Sequence, residues 1–252
     1  MSASWFETAA GNPDAPLRLF LLPHAGSGGT IYRNWGSLLP GDIAQHIVCA
    51  PGRERRFAEE AFTEIEPLVD ALYDALLDEL DDRPYAMFGH CLGAQLAYRV
   101  AVNIHRDGER PPLLVGASGW APEGFQQSTY EQSQMPEPDL IEWMQTLGSF
   151  PAEVYGDPAV MARIIPALRA DLAVVSTYVD DAADCGVPLV SYSGKSDPLM
   201  YPGAMESWRT RTPEFLGNSE FTGDHFYIDT PEHAVAVTAD LTRHLQRRMA
   251  LV

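Results

Sequence analysis

Tyr85-Ala86-Met87-Phe88-Gly89-His90-Cys91-Leu92-Gly93-Ala94-Gln95-Leu96-Ala97-Tyr98 is the stretch whose reading decides the fold. A short apolar run ends at Gly89, Cys91 follows two positions on, Gly93 two beyond that, and a helix-forming segment begins at once. This is the pattern of a nucleophile elbow, with cysteine at the tip where serine is usual. A strand turning sharply into a helix strains the tip residue, and glycines on either side let strand and helix approach without a Cβ collision. The tip side chain then sits at a helix N-terminus, where unpaired N–H groups and the helix dipole favour a thiolate and, later, an oxyanion. A buried structural cysteine beside a tight turn is the competing reading, because free cysteine is among the most buried residue types.

Outward from the elbow, the chain alternates strand and helix. Leu17–Leu22 is a nearly continuous apolar run, as expected of a strand buried on both faces, and His46–Ala50 reads as a second strand. Ile31–Leu39 is a short helix carrying Tyr32 and Trp35. Ile65, Leu68, Val69, Leu72, Leu76, Leu77 and Leu80 recur at helical spacing between acidic residues, which predicts a surface helix over Glu64–Leu80. After the elbow come a helix over Leu92–His105 and a buried strand over Leu113–Ser118. Regular alternation of this kind predicts an α/β fold with a mostly parallel sheet and helices on both faces.

The rhythm breaks after Trp120. From Glu123 to Asp184 only helical segments emerge, at Pro138–Leu147 and Pro158–Tyr178, and an insertion of this length is expected to be a helical lid. The sheet resumes at Val187–Ser193, a helix follows near Gly203–Thr210, a last strand covers Ser219–Thr222, and Pro231–Met249 is a closing amphipathic helix. Without repeats or a linker, residues 1–252 are expected to form one domain, with a core of about 1–120 and 185–252 and a lid of about 121–184.

Composition narrows the function classes. An apolar content of 46% and a charged content of 21% suit an ordinary globule, and a net charge of -18 excludes a basic phosphate-binding surface, hence nucleic acid. Cys49, Cys91 and Cys185 share no CxxC spacing, so neither disulfides nor a zinc site nor any other cofactor site is expected, and a reducing cytoplasm fits best. Met1–Gly11 lacks the pattern of an export signal, and no run approaches the roughly 18 apolar residues of a membrane span.

A thiol nucleophile needs a base, and the base an orienting group. Of seven histidines, His225 in Gly223-Asp224-His225-Phe226 directly follows the last strand, where ligand sites of open α/β sheets collect. His105, His233 and His244 fall on outer helices and should face solvent, His46 is structural, and His90 adjoins Cys91 but should point away from it. Asp197, in Gly194-Lys195-Ser196-Asp197-Pro198, gives the order nucleophile, acid, histidine of an α/β-hydrolase. Asp224 is its rival, disfavoured because a neighbour of the base can rarely fold back onto the ring. The oxyanion hole is assigned to the backbone N–H groups of Leu92 and of Ala25, in the glycine-rich loop after the first strand. That loop lacks the Gly-Lys-Ser/Thr of a phosphate-binding loop and the GxGxxG of a dinucleotide site.

With these residues assembled, the chain resembles a type II thioesterase, the stand-alone α/β-hydrolase that accompanies nonribosomal peptide and polyketide synthases. The resemblance runs nearly end to end through Leu22-Pro23-His24-Ala25-Gly26, Tyr32 with Trp35, Pro51-Gly52-Arg53-Glu54, the elbow, Pro166-Ala167-Leu168-Arg169-Ala170-Asp171, Asp197-Pro198 and Gly223-Asp224-His225-Phe226. It implies a substrate that is an acyl or aminoacyl thioester on the phosphopantetheine arm of an acyl or peptidyl carrier protein, a lid that shapes the acyl chamber, and a monomeric enzyme. Cys91 departs from the family's usual serine. Superfamily members with an elbow cysteine resemble shuttles that pass an aminoacyl group between carriers, and a serine replaced to trap an intermediate would read the same way. A non-catalytic binding protein on the same fold is the third reading. For Arg53, Arg55 and Arg56 two readings stay open: a docking patch for an acidic carrier or its phosphate, and a solvated face.

Overall fold

The computed structural model describes residues 4–8, 12–150 and 152–251. Six of the eleven residues of the Met1–Gly11 stretch expected to carry no export signal therefore lie outside the described residues. Seven strands form one sheet in the order β1-β3-β2-β4-β5-β6-β7. They are β1 (Phe6–Thr8), β2 (Leu17–Leu22), β3 (Ile43–Val48), β4 (Tyr85–His90), β5 (Val115–Ser118), β6 (Leu189–Gly194) and β7 (Phe215–Phe221). Every pairing is parallel except the antiparallel edge of β1 on β3. The expected parallel sheet is met.

Helices cover both faces, as they must when strands such as β2 and β4 bury every residue. On one face α1 (Ile65–Glu79) and α2 (Leu92–Asp107) pack with Phe20, Leu22 and Met87. On the other, α7 (Pro231–Met249) and the 3-10 segment Gly29–Ser37 enclose Leu19, Leu21, Tyr32, Trp35 and Phe88. Between β5 and β6 the chain leaves the sheet for α3 (Tyr130–Ser133), α4 (Glu137–Leu147), α5 (Ala152–Tyr155) and α6 (Pro158–Ser176). These helices hold a separate apolar cluster, with Leu140, Met144, Met161, Ile165, Leu168 and Leu172 at its centre.

Several elements differ from expectation: β5 starts at Val115 rather than Leu113, β6 covers Leu189–Gly194 rather than Val187–Ser193, and the helix expected near Gly203–Thr210 is a 3-10 segment, Ala204–Thr210. The segment expected as a helix from Ile31 is a 3-10 segment, and β1, only three residues long, carries no readable pattern. β3 starts at Ile43 rather than His46 because the buried Gln45 amide donates to the Tyr32 carbonyl at 2.7 Å, which makes a polar residue admissible inside a strand. β7 starts at Phe215 rather than Ser219, its alternation broken by a bulge where Gly217 takes φ +102°.

The turn from β4 into α2 behaves as the elbow requires. Cys91 takes φ 54° and ψ −118°, and its N–H is tied to Ser118 O on β5 at 2.8 Å. A Cβ on Gly89 would stand 2.1 Å from the Gly93 carbonyl, and one on Gly93 2.0 Å from Leu22 O. Both obstacles are backbone, so neither can rotate away. Gly93→Ala is expected to cost about 3 kcal/mol, a drop of roughly 6–12 °C in Tm by calorimetry. An unchanged Tm would show that strand and helix are not locked at this point.

Candidate active site

Cys91 is half-buried at the head of α2, where the first N–H groups of the helix have no carbonyl one turn back to bond. The other two cysteines are fully buried, and burial pushes the Cys185 thiol up to about 11. A thiol so placed is chemically inert. Cys91 lines an apolar cavity of about 40 Å³ that it shares with Ala25, Leu92 and His225. The insertion supplies one wall through Trp143, Leu147, Leu168, Leu172 and Val175, and the core supplies Trp120.

The loop after β7 carries His225 to this chamber, and the loop after β6 carries Asp197. His225 Nδ1 donates to Asp197 Oδ2 at 2.7 Å with both side chains almost wholly buried, while Asp197 Oδ1 accepts the Leu199 N–H at 2.9 Å. Asp224 is exposed and turns instead to the Phe226 N–H, so the rival acid is not the partner of the ring. Burial would lower the His225 pKa, but negative charge on Cys91 and then the hydrogen bond to Asp197 override it and hold the ring above its ordinary value. Its Nε2 makes no hydrogen bond of regular geometry, which leaves that atom able to take a proton.

Two more histidines stand beside it. His24 lies against Phe226, and the His90 and His225 ring centres are 5.1 Å apart. Burial lowers His24 to about 4 and pushes His90 well below the usual range. Both are neutral rings at working pH, so His225 alone carries a proton readily. His90 does turn away from the chamber, as expected, with Nδ1 2.8 Å from Ser118 Oγ, but it packs on the flank of His225 rather than apart from it. His233 and His244, expected to face solvent, are half-buried, because α7 lies on the sheet and the turn at Tyr227 folds back onto it. His233 Nδ1 reaches Tyr227 O at 3.0 Å and His244 lies 3.5 Å from Asp240. His105 is exposed, and His46 stacks on Phe20 in the core.

The loop carrying Ala25 is clamped at its polar atoms. His24 Nδ1 is 2.9 Å from the Ala25 carbonyl, and the Gly26 N–H donates at 2.7 Å to Asp171 Oδ2 on α6. Asp171 is 1% exposed and also accepts both terminal nitrogens of Arg53, at 2.8 and 2.7 Å. Arg53 Nη1 bonds the Ser27 carbonyl as well. Neither reading of the basic loop survives for Arg53 or for Arg56, which is buried against Trp5 and paired with Glu59. Desolvated guanidinium groups in bidentate pairs are structural ties, and only Arg55 keeps an exposed side chain, bonded to Ser4 O. Among the described residues no cluster of histidine, cysteine and carboxylate side chains is arranged to hold a metal ion.

Residues 17–245 match the thioesterase domain family. The gramicidin S biosynthesis protein GrsT of Aneurinibacillus migulanus is 29% identical over 89% of this chain and 88% of its own. Among solved structures, the RedJ thioesterase of the prodiginine biosynthetic pathway in Streptomyces coelicolor superposes with a TM-score of 0.83 at 30% identity, covering 92% of this chain and 91% of that one. The type II thioesterase BorB of the borrelidin biosynthetic cluster gives 0.85 at 27% identity over 97% and 99%. With an α/β-hydrolase sheet, a cysteine at its elbow and a buried histidine–aspartate pair facing it, the chain belongs to the thioesterase family.

Proposed function

We propose that the protein is a type II thioesterase that takes acyl or aminoacyl groups from carrier-protein phosphopantetheine in nonribosomal peptide or polyketide biosynthesis, with Cys91 as nucleophile. The observation that carries this reading is the meeting, in one apolar chamber, of a cysteine at a helix N-terminus and a buried histidine held by an aspartate. His225 Nε2 takes the Cys91 proton, and the thiolate attacks the thioester carbonyl carbon. The N–H groups of Leu92 and Ala25 receive the oxyanion. Collapse of the adduct breaks the bond to the pantetheine sulfur, which leaves with the proton from His225, and the acyl group stays on Cys91. Water, activated by His225, then releases the free acid. The insertion serves as lid over this chamber, no cofactor takes part, and the enzyme works in the cytoplasm as a monomer.

The cysteine favours a second reading. Exchange of one thioester for another is nearly balanced in energy, so an acyl-Cys91 could pass its group to the thiol of a second carrier as readily as to water. Incubation with an acyl-loaded carrier and an empty one, followed by intact mass, separates the two. Free acid with no label on the empty carrier is the expected result. Label on the empty carrier without free acid would replace hydrolysis by transfer, and no mass shift on Cys91 with either would leave a binding protein.

A further inference from the structure

Gln95 lies one helical turn beyond Cys91 on α2, its N–H bonded to the Cys91 carbonyl at 3.2 Å, and its side chain lines the acyl chamber. Residues four apart on a helix share a face, so the amide stands about 6 Å along the axis from the thiol. It is 0% exposed, and neither its Oε1 nor its Nε2 has a hydrogen-bond partner among the described residues. Trp120, in the same chamber and 1% exposed, likewise leaves its indole Nε1 unpaired. Three buried polar atoms without partners, on two side chains that line a largely apolar space, are costly unless something in that space bonds them. A core position of this kind would be filled by leucine or methionine if only packing mattered.

We propose that Gln95 and Trp120 together read a neutral hydrogen-bonding group on the acyl chain, so that the chamber selects short acyl groups bearing a hydroxyl or carbonyl over plain saturated chains. This rests on the thioesterase reading of the same site and goes beyond it by naming the substrate class. The primary amide offers two donors and an acceptor, and the indole adds a donor, a set that matches a hydroxyl or an oxo group. A charged group on the chain is disfavoured. No aspartate, glutamate, lysine or arginine lines the chamber; beyond the reacting pair Cys91 and His225, its polar wall groups are the neutral His24 ring and the Ser128 and Ser149 hydroxyls. A desolvated ammonium or carboxylate held away from His225 would find no counter-charge.

The test compares N-acetylcysteamine thioesters of hexanoate, of β-, γ- and δ-hydroxyhexanoate, of β-oxohexanoate and of the carboxylate-ended hexanedioate, by kcat/KM. At least one hydroxy or oxo chain is expected to exceed hexanoate by about tenfold or more, because an unfilled polar site penalises the chain that lacks the group. The hexanedioyl chain is expected to fall below hexanoate. In Gln95→Leu the preference for the polar chain should drop by about tenfold, and Tm should rise as an unpaired buried amide is removed. If that variant folds poorly, Gln95→Met supplies the same comparison with a flexible chain of similar length. Equal or better use of hexanoate by the wild-type protein, or a ratio unmoved in both variants, overturns the proposal while leaving thioester cleavage intact. Failure to turn over any of the thioesters, with no acyl adduct on Cys91, overturns both readings together.

Discussion

Cys91→Ala is expected to lower the turnover of an acyl-N-acetylcysteamine thioester by roughly 10³-fold or more, with little change in KM. Removing a nucleophile from an intact constellation leaves only the binding and oxyanion contributions, and the remaining members cannot compensate for one another. The wall of the chamber is untouched, since Cys91 contributes one small side chain beside Trp120, Trp143 and Leu168. Intact mass should show acyl adduct on the wild-type protein and none on the variant. Iodoacetamide should label the native protein once, at Cys91, because Cys49 and Cys185 are buried. Cys91→Ser is expected to behave differently again. It should form an oxygen ester, which water can open but from which transfer to a second thiol runs uphill. A variant Cys91→Ala that keeps a tenth of the native rate or more would remove Cys91 from the chemistry.

Asp171→Ala should have the second large effect, on both stability and rate. The substitution strands the Arg53 guanidinium, whose side chain is only 11% exposed, and leaves the Gly26 N–H without its acceptor. Breaking one side of a buried pair costs about 3–5 kcal/mol, which is a fall of roughly 6–20 °C in Tm for a chain of this length. The rate should fall as well, by about 10²-fold in kcat, if the clamped loop presents the Ala25 N–H to the oxyanion. A double replacement separates the two effects. Arg53→Met with Asp171→Leu removes both charges from an apolar setting, and such exchanges are often neutral or stabilising. Tm should therefore recover, whereas kcat should not, because Gly26 still lacks a partner. Recovery of both would reduce Asp171 to a purely structural tie, and loss of neither in the single variant would show that the loop holds its shape without α6.

These two sites differ in how far the amino-acid order exposes them. Cys91 is bracketed by Gly89 and Gly93 within five residues, and Asp197 and His225 each follow a strand in the right order, so local pattern and chain order suffice to propose them. Strand boundaries were less readable where a buried polar residue such as Gln45, or a bulge such as that at Gly217, interrupts the alternation. Arg53 and Asp171 are 118 positions apart, one in a basic loop and one in a helix of the insertion, and nothing local distinguishes Arg53 from its neighbours Arg55 and Arg56. Its role appears only when α6 is laid over the loop after β2.

The sequence by itself determined the sheet from β2 to β7, the elbow, and which cysteine, histidine and aspartate to propose as the reactive groups. Those follow from hydrophobic period, glycine placement and the fixed direction in which a parallel strand delivers its following loop. Tertiary structure alone decided which charges are desolvated and which polar atoms are left unpaired, because burial belongs to the packed whole rather than to any segment. It thereby turned two of three surface-looking arginines into internal ties. It also made the elbow histidine a neutral neighbour of His225, and it left the Gln95 amide, on the wall of the Cys91 cavity, without a partner.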